Sequence, residues 1–189
     1  IDLEARLRGA LAQNQFLVYY QPQIDIKSGL IIGAEALIRW QHPQLGPVSP
    51  AVFIPLAEEA GLMSSITAWV YKEVRKIQNQ LLEQQIMLPI SMNLSAQDLE
   101  NPALINSILQ HEQKYASAQR VKFELAESAL APDAPAVQKS LQLLKQAGST
   151  LVMDDFGAGQ SMLGEKLPGR REAQQFAPLT DEIMADRQP

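Results

Sequence analysis

An α/β fold built on a parallel sheet is what this sequence predicts, on three observations. Strand-like and helix-like segments alternate from about residue 50 onward, and such alternation implies a parallel sheet with covered faces. Polar residues recur at strand ends roughly 30 residues apart, the length of one βα unit. With 189 residues, 46% of them hydrophobic, the chain is long enough to bury a core.

The elements follow in order. Residues 2–13 read as a helix capped by Asp2, with Leu3, Leu7 and Leu11 on one stripe. Phe16 to Ile26 is rich in β-branched and aromatic residues and predicts a strand. Lys27-Ser28-Gly29 is turn chemistry, and Leu30 to Arg39 predicts a second strand that closes a hairpin with the first. Ser49-Pro50 opens a short helix as an N-cap followed by a first-turn proline, and Gly61 ends it. Residues 65–85 form a longer helix with Ile66, Trp69, Val70, Ile77 and Leu81 on its apolar face. Then come a strand over Leu88 to Asn93, a helix over about 102–115 and a strand over Arg120 to Leu125. A helix over about 134–147 with Gly148 at its end leads to a last clear strand, Thr150 to Asp154.

Composition removes several classes of function. No apolar run reaches the ~18–20 residues of a membrane span, and no signal peptide opens the chain. There is no cysteine, so a disulfide scaffold, a thiolate metal site and a cysteine nucleophile are excluded, and a reducing, cytoplasmic setting is expected. Sixteen basic against 21 acidic residues give a net charge of −5, which argues against a nucleic-acid polymer or an anionic membrane as partner. A chain that begins at Ile1 reads as a piece of a longer protein.

Glu35, Asn93, Glu124 and Asp154 carry the functional argument. Each falls at or near a predicted strand end, with spacings of 58, 31 and 30 residues. In a parallel barrel the C-terminal strand ends open on one face, where active sites are built. Three carboxylates and an amide converging there are hard oxygen donors, suited to Mg²⁺ or Mn²⁺. Asp154-Asp155 is the sharpest feature, because adjacent acids repel unless a cation holds them, and such a pair can bridge two metals for phosphodiester hydrolysis. An acid at a strand end also serves simply to cap the next helix; four at this spacing favour the metal. Arg39 can grip a phosphate with its planar fork or make a surface ion pair. Gln21 can donate to a ligand or merely end its strand, while His42 and His111 are expected to face solvent.

At these residues the sequence resembles the EAL domain, the bacterial family that hydrolyses the second messenger cyclic di-GMP. The naming motif stands as Glu35-Ala36-Leu37, extended by Ile38-Arg39-Trp40. Around it lie Tyr20-Gln21-Pro22, Phe53 to Glu58, Asn93-Leu94-Ser95, Glu124 to Ser128 and Asp154 to Gly159, in family order over residues 16–163. The resemblance implies a modified TIM (β/α)₈ barrel with one antiparallel early strand. It implies that Glu35, Asn93, Glu124 and Asp154 ligate a first metal and that Asp154 with Asp155 reaches a second. It assigns Gln21, Leu37 and Arg39 to the substrate, and Glu127 to steadying the loop after the aspartate pair. The implied reaction is attack of a metal-activated water on one phosphodiester, opening the ring to linear pGpG. A homodimer and an upstream sensory or GGDEF domain are the implied partners.

After Leu163 the family's Lys-Ile-Asp strand with its catalytic lysine, its Ala-Glu-Gly-Val-Glu strand and its late glutamine are not recognisable, and Lys166 is not given the lysine's role. The sequence therefore divides into an N-terminal linker or capping helix (1–15), an EAL domain comprising the N-terminal two-thirds of the barrel (16–163) and an atypical tail (164–189). A degenerate EAL module that binds cyclic di-GMP or a protein without turnover is the alternative reading.

Overall fold

The computed structural model describes residues 3–116, 119–126 and 134–154. The predicted alternation is present. Helix α1 (Leu3–Ala10) precedes strands β1 (Phe16–Ile24), β2 (Ile31–His42) and β3 (Gly46–Val48). Helices α2 (Pro50–Glu59) and α3 (Met63–Glu83) lead to β4 (Ile90–Leu94), and α4 (Ala96–Leu99) and α5 (Pro102–Glu112) lead to β5 (Lys122–Ala126). Helix α6 (Pro135–Gln146) and strand β6 (Thr150–Asp154) complete the described part.

The sheet runs β1-β2-β4-β5-β6, with β3 pairing onto β2. Strand β1 is antiparallel to β2, whereas β2, β4, β5 and β6 are mutually parallel. This is the layout expected of an EAL-type barrel, a parallel sheet entered through one antiparallel hairpin. The hairpin turns where the sequence placed it. Asp25 Oδ1 accepts from the Ser28 backbone N–H at 2.7 Å and from its hydroxyl at 2.8 Å, and Gly29 takes φ +71°, a value that L side chains adopt only with strain.

Strand alternation divides the sheet into two chemically different faces. On one face lie Ile90, Met92 and Leu94 of β4 and Phe123 and Leu125 of β5, all buried. Ala34, Ala36 and Trp40 of β2, with Phe16, Val18 and Tyr20 of β1, continue that face. Helix α3 packs across β1, β2 and β4 on it. Phe16, Trp40, Phe53 and Trp69 form an aromatic cluster with ring centroids 5.8–6.1 Å apart. Each such buried side chain contributes on the order of 1.5–3 kcal/mol. The opposite face carries Gln21, Glu35, Ser91, Asn93, Lys122 and Glu124.

Several elements differ from the sequence-based expectation. β3 and α4, of three and four residues, are too short to leave a periodic signal. In α3 the buried stripe runs through Ile66, Thr67, Val70, Tyr71, Val74, Arg75 and Gln78, while Trp69, Ile77 and Leu81 are half-buried. The stripe turns because Arg75 is drawn inward by Glu112, 3.6 Å away, and by Tyr115, whose ring it covers at 3.4 Å. His42 and His111 do not face solvent freely. His42 is buried, its Nδ1 accepting from the Gln44 and Leu45 backbone N–H groups, and the half-buried His111 lies 3.0 Å from the Tyr71 hydroxyl. Both therefore close structural networks. Helix α1 buries Leu7 and Ala10, with Leu3 and Leu11 packed beside them, so its predicted stripe faces the core. Asp2 lies outside the described residues. Among the described residues no helix is long and apolar enough to cross a membrane.

Candidate functional site

Register, rather than strand ends, is what brings the predicted residues together. Glu35 pairs with Ser91, and Asn93 pairs with Glu124. Relative to Glu35, then, Asn93 and Glu124 lie two positions further along the parallel direction. Ala126 pairs with Asp154, which puts Asp154 another two positions on. Every offset is even, so all four occupy backbone positions of the same parity on the sheet. The climb from strand to strand is the stagger that tilted barrel strands require.

This corrects one expectation. Glu35 is not at the C-terminal end of its strand; it is the fifth of twelve residues in β2. The parallel pairing of β2 with β4 covers only Ala34–Ala36, beyond which β2 continues against β1 and β3. The parallel ladder ends at Ala36, one residue past Glu35, although the strand continues to His42. Asn93 and Glu124 sit in the last three residues of five-residue strands, and Asp154 is the last of β6.

Asn93 Nδ2 donates to Glu35 Oε1 at 3.1 Å, which leaves the amide oxygen as the group that Asn93 can offer a cation. Glu124 is the more telling residue. Its side chain is 1% exposed, and neither carboxylate oxygen has a hydrogen-bond partner among the described residues. Folded proteins rarely leave buried polar groups unpaired, and a buried carboxylate costs more than a neutral group when left alone. Among the described residues the Tyr20 hydroxyl, Arg75 Nε and Nη2 and Asp98 Oδ1 are also unpaired, but only Glu124 has both carboxylate oxygens so. An oxygen-seeking cation would satisfy both atoms. The donor set fits a hard divalent ion, since Glu35, Asn93 and Glu124 contribute oxygen and neither histidine lies on this face. Among the described residues no three His, Cys, Asp or Glu converge closely enough to hold a metal by themselves. Asp155 and Glu127 lie outside the described residues, and of Asp154 only the backbone is described.

The predicted substrate contacts share the polar face. Gln21 stands opposite Glu35, Leu37 opposite Tyr19 and Arg39 opposite Leu17. The Arg39 guanidinium lies 5.5 Å from the centre of the Tyr19 ring, and its Nη1 donates to the Ile38 carbonyl at 2.9 Å. Its remaining donors suit a phosphate oxygen.

Two features escaped sequence reasoning. Lys122, opposite Ser91, puts a cation on the same face two residues before Glu124. The polar–apolar alternation of Lys122-Phe123-Glu124-Leu125 was a usable signal for it. The Ser95-x-x-Asp98 spacing just after β4 is a capping-box signature, and both of its reciprocal hydrogen bonds are present.

A parallel sheet with one antiparallel entry strand, carrying Glu, Asn and Glu at staggered positions of one face, defines an α/β protein with an acidic oxygen-donor site. The chain belongs to the EAL domain family, which it matches over residues 4–166. It is 38% identical over 150 residues to the cyclic di-GMP phosphodiesterase PA2567 of Pseudomonas aeruginosa, covering 79% of this chain and 26% of that protein. Over 162 residues it is 36% identical to MucR of the same organism, named a bifunctional diguanylate cyclase/cyclic di-GMP phosphodiesterase, covering 83% of this chain and 23% of MucR. The chain thus spans about a quarter of the length of these relatives. Among solved structures, the PaMucR phosphodiesterase in complex with c-di-GMP superposes with a TM-score of 0.72 at 36% identity, covering 85% of this chain and 66% of that one. The EAL enzyme Bd1971, bound to cAMP and cyclic di-GMP, gives 0.71 at 28% identity, covering 84% and 45%.

Proposed function

We infer that this chain is the substrate-binding and metal-holding part of a phosphodiesterase that hydrolyses cyclic di-GMP to linear pGpG with Mg²⁺ or Mn²⁺. The observation that carries this reading is Glu124, a buried carboxylate without a hydrogen-bond partner among the described residues, on the sheet face shared with the Glu35–Asn93 pair. Relatives named as cyclic di-GMP phosphodiesterases support the substrate.

Glu35, Asn93, Glu124 and Asp154 would hold the first ion, and Asp155 with Asp154 a second. When bound, the ions supply Lewis acidity and a water of lowered pKa for attack on one phosphodiester. The chain's own residues do the rest. Asn93, by donating to Glu35, orients that carboxylate and turns its own oxygen to the same side. Arg39 and Gln21 grip the cyclic dinucleotide, with Leu37 packing against it, and the Tyr19 ring steadies the Arg39 guanidinium. Glu127 anchors the loop after the aspartate pair. An acidic chain of net charge −5 repels a dianion at long range, so binding depends on these local cations.

The functional unit is residues 16–163, with 1–15 as its capping helix and 164–189 as a tail. It works in the cytoplasm as a homodimer beneath an upstream sensory or GGDEF domain. Chromatography of cyclic di-GMP incubated with the chain tests the reaction. Linear pGpG should appear only with added Mg²⁺ or Mn²⁺, and not in Glu35→Ala. Binding without turnover under every ion condition would favour instead a module that senses the dinucleotide, the reading suggested by the unrecognised lysine, glutamate and glutamine motifs after Leu163.

A further inference from the structure

The chain leaving β4 is clamped more firmly than a four-residue helix requires. Asp98 has no exposed surface, and its Oδ2 accepts three hydrogen bonds. They come from the Ser95 backbone N–H at 2.9 Å, the Ser95 hydroxyl at 2.8 Å and the Thr67 hydroxyl of α3 at 2.9 Å. The Ser95 bonds belong to the capping box, but the Thr67 bond is a cross-link between α3 and the exit of β4. Burying a carboxylate completely is a costly way to cap one turn of helix. Ser95 lies two residues after Asn93, whose amide holds Glu35. The same short helix is held at its other end by the Ser140 hydroxyl of α6, which donates to the Leu99 carbonyl.

We propose that Asp98 is a positioning residue: by fixing Ser95 against Thr67, it sets the end of β4 so that the Asn93 amide stays aimed at Glu35 and at the ion. This rests on the metal-site reading above. Groups hydrogen-bonded to a metal ligand commonly change metal affinity by roughly 10–100-fold when removed, and Asp98 acts one step further out, through the Ser95 backbone, so the lower end of that range applies.

The test compares Asp98→Asn and Thr67→Val with Ser140→Ala, which removes the buried hydrogen bond at the far end of α4. ¹⁵N relaxation of the Asn93 side-chain amide reads the positioning directly. Its order parameter should fall clearly in Asp98→Asn, toward the values below about 0.6 that mark flexible groups. It should fall less in Thr67→Val, which keeps Asp98 and Ser95, and stay unchanged in Ser140→Ala. Calorimetric Mn²⁺ affinity should weaken by roughly 10-fold in Asp98→Asn and hold in Ser140→Ala. An Asn93 amide equally rigid in folded Asp98→Asn, or equally loosened by Ser140→Ala, overturns the proposal. If Asp98→Asn does not fold, Thr67→Val decides by the same readout. A wild-type chain that binds no Mn²⁺ defeats the metal reading, while the amide order parameter still decides whether Asp98 positions Asn93.

Discussion

Replacing Glu124 by Gln should make the metal-free protein more stable while abolishing its response to divalent ions. The carboxylate is 1% exposed, and both of its oxygens lack a hydrogen-bond partner among the described residues. An unsatisfied buried polar group costs about 1–3 kcal/mol and a charged one more, so an isosteric amide, still unpaired but uncharged, should recover the difference, on the order of 1–3 kcal/mol. For a chain of this size each kcal/mol shifts Tm by roughly 2–4 °C, which gives a rise of roughly 2–12 °C. The wild-type protein should behave in the opposite way on adding Mn²⁺. At an ion concentration of about 100 Kd, linkage adds about 2.7 kcal/mol, because the ion binds the folded site and not the unfolded chain. Calorimetric melts of both proteins, in chelator and in Mn²⁺, therefore give crossing results: the variant is the more stable without ion, and the wild type gains most with it. A variant less stable than wild type in chelator would mean that Glu124 already has a partner, and the site argument would fail.

Four further outcomes follow from the same geometry. Glu35→Ala should abolish calorimetric Mn²⁺ binding, because it removes one ligand and the acceptor that orients Asn93; unchanged binding would exclude both from the site. Gly33→Ala should destabilise the protein by about 1–3 kcal/mol in urea titration, since an added Cβ would lie 3.0 Å from Gln23 Oε1 and 3.1 Å from the Pro89 carbonyl oxygen. Glu112→Ala should cost about 3–5 kcal/mol by the same measurement, because it strands the buried Arg75 3.6 Å away and removes the acceptor for the Tyr71 hydroxyl and the Val121 N–H. Burial, reinforced by Lys114 and Arg75, holds the His111 pKa below its usual value near 6.5, so the unfolded chain takes up the proton first. The His111 contribution to stability should therefore be present above pH ~6.5 and be lost as pH falls from there through the lowered folded-state value. His111→Asn should remove that part of the pH dependence, and an unchanged profile would show that His111 does not carry it.

Much of the fold was legible because its elements are long and its breaks are chemically marked. Pro50, Gly61, Pro102, Pro135 and Gly148 bound helices, and the aromatic and β-branched runs around Phe16 and Ile31 could only be strands. What escaped was short or depended on pairing. β3 exists because β2 outruns its parallel partner, a fact of register that one strand's sequence does not carry. For the same reason Glu35, expected at or near a strand end, stands mid-strand. The candidate site was legible in residue type and spacing, since an even register offset preserves face whatever the strand length. Its surroundings were less so. The buried positions of Arg75, Glu112 and Asp98 reflect side-chain partners remote in sequence, and polar composition alone would place all three at the surface.

In the proposed site Glu35, Asn93, Glu124 and Asp154 share one divalent ion. Crystals of the chain grown with Mn²⁺ test it through anomalous scattering. An anomalous peak should lie within roughly 2.0–2.3 Å of an oxygen from each of these four residues, beside the Glu124 oxygens that lack a partner among the described residues. A peak bound elsewhere, or ordered density in which the Glu124 carboxylate is hydrogen-bonded to protein and no ion is present at saturating Mn²⁺, would contradict it.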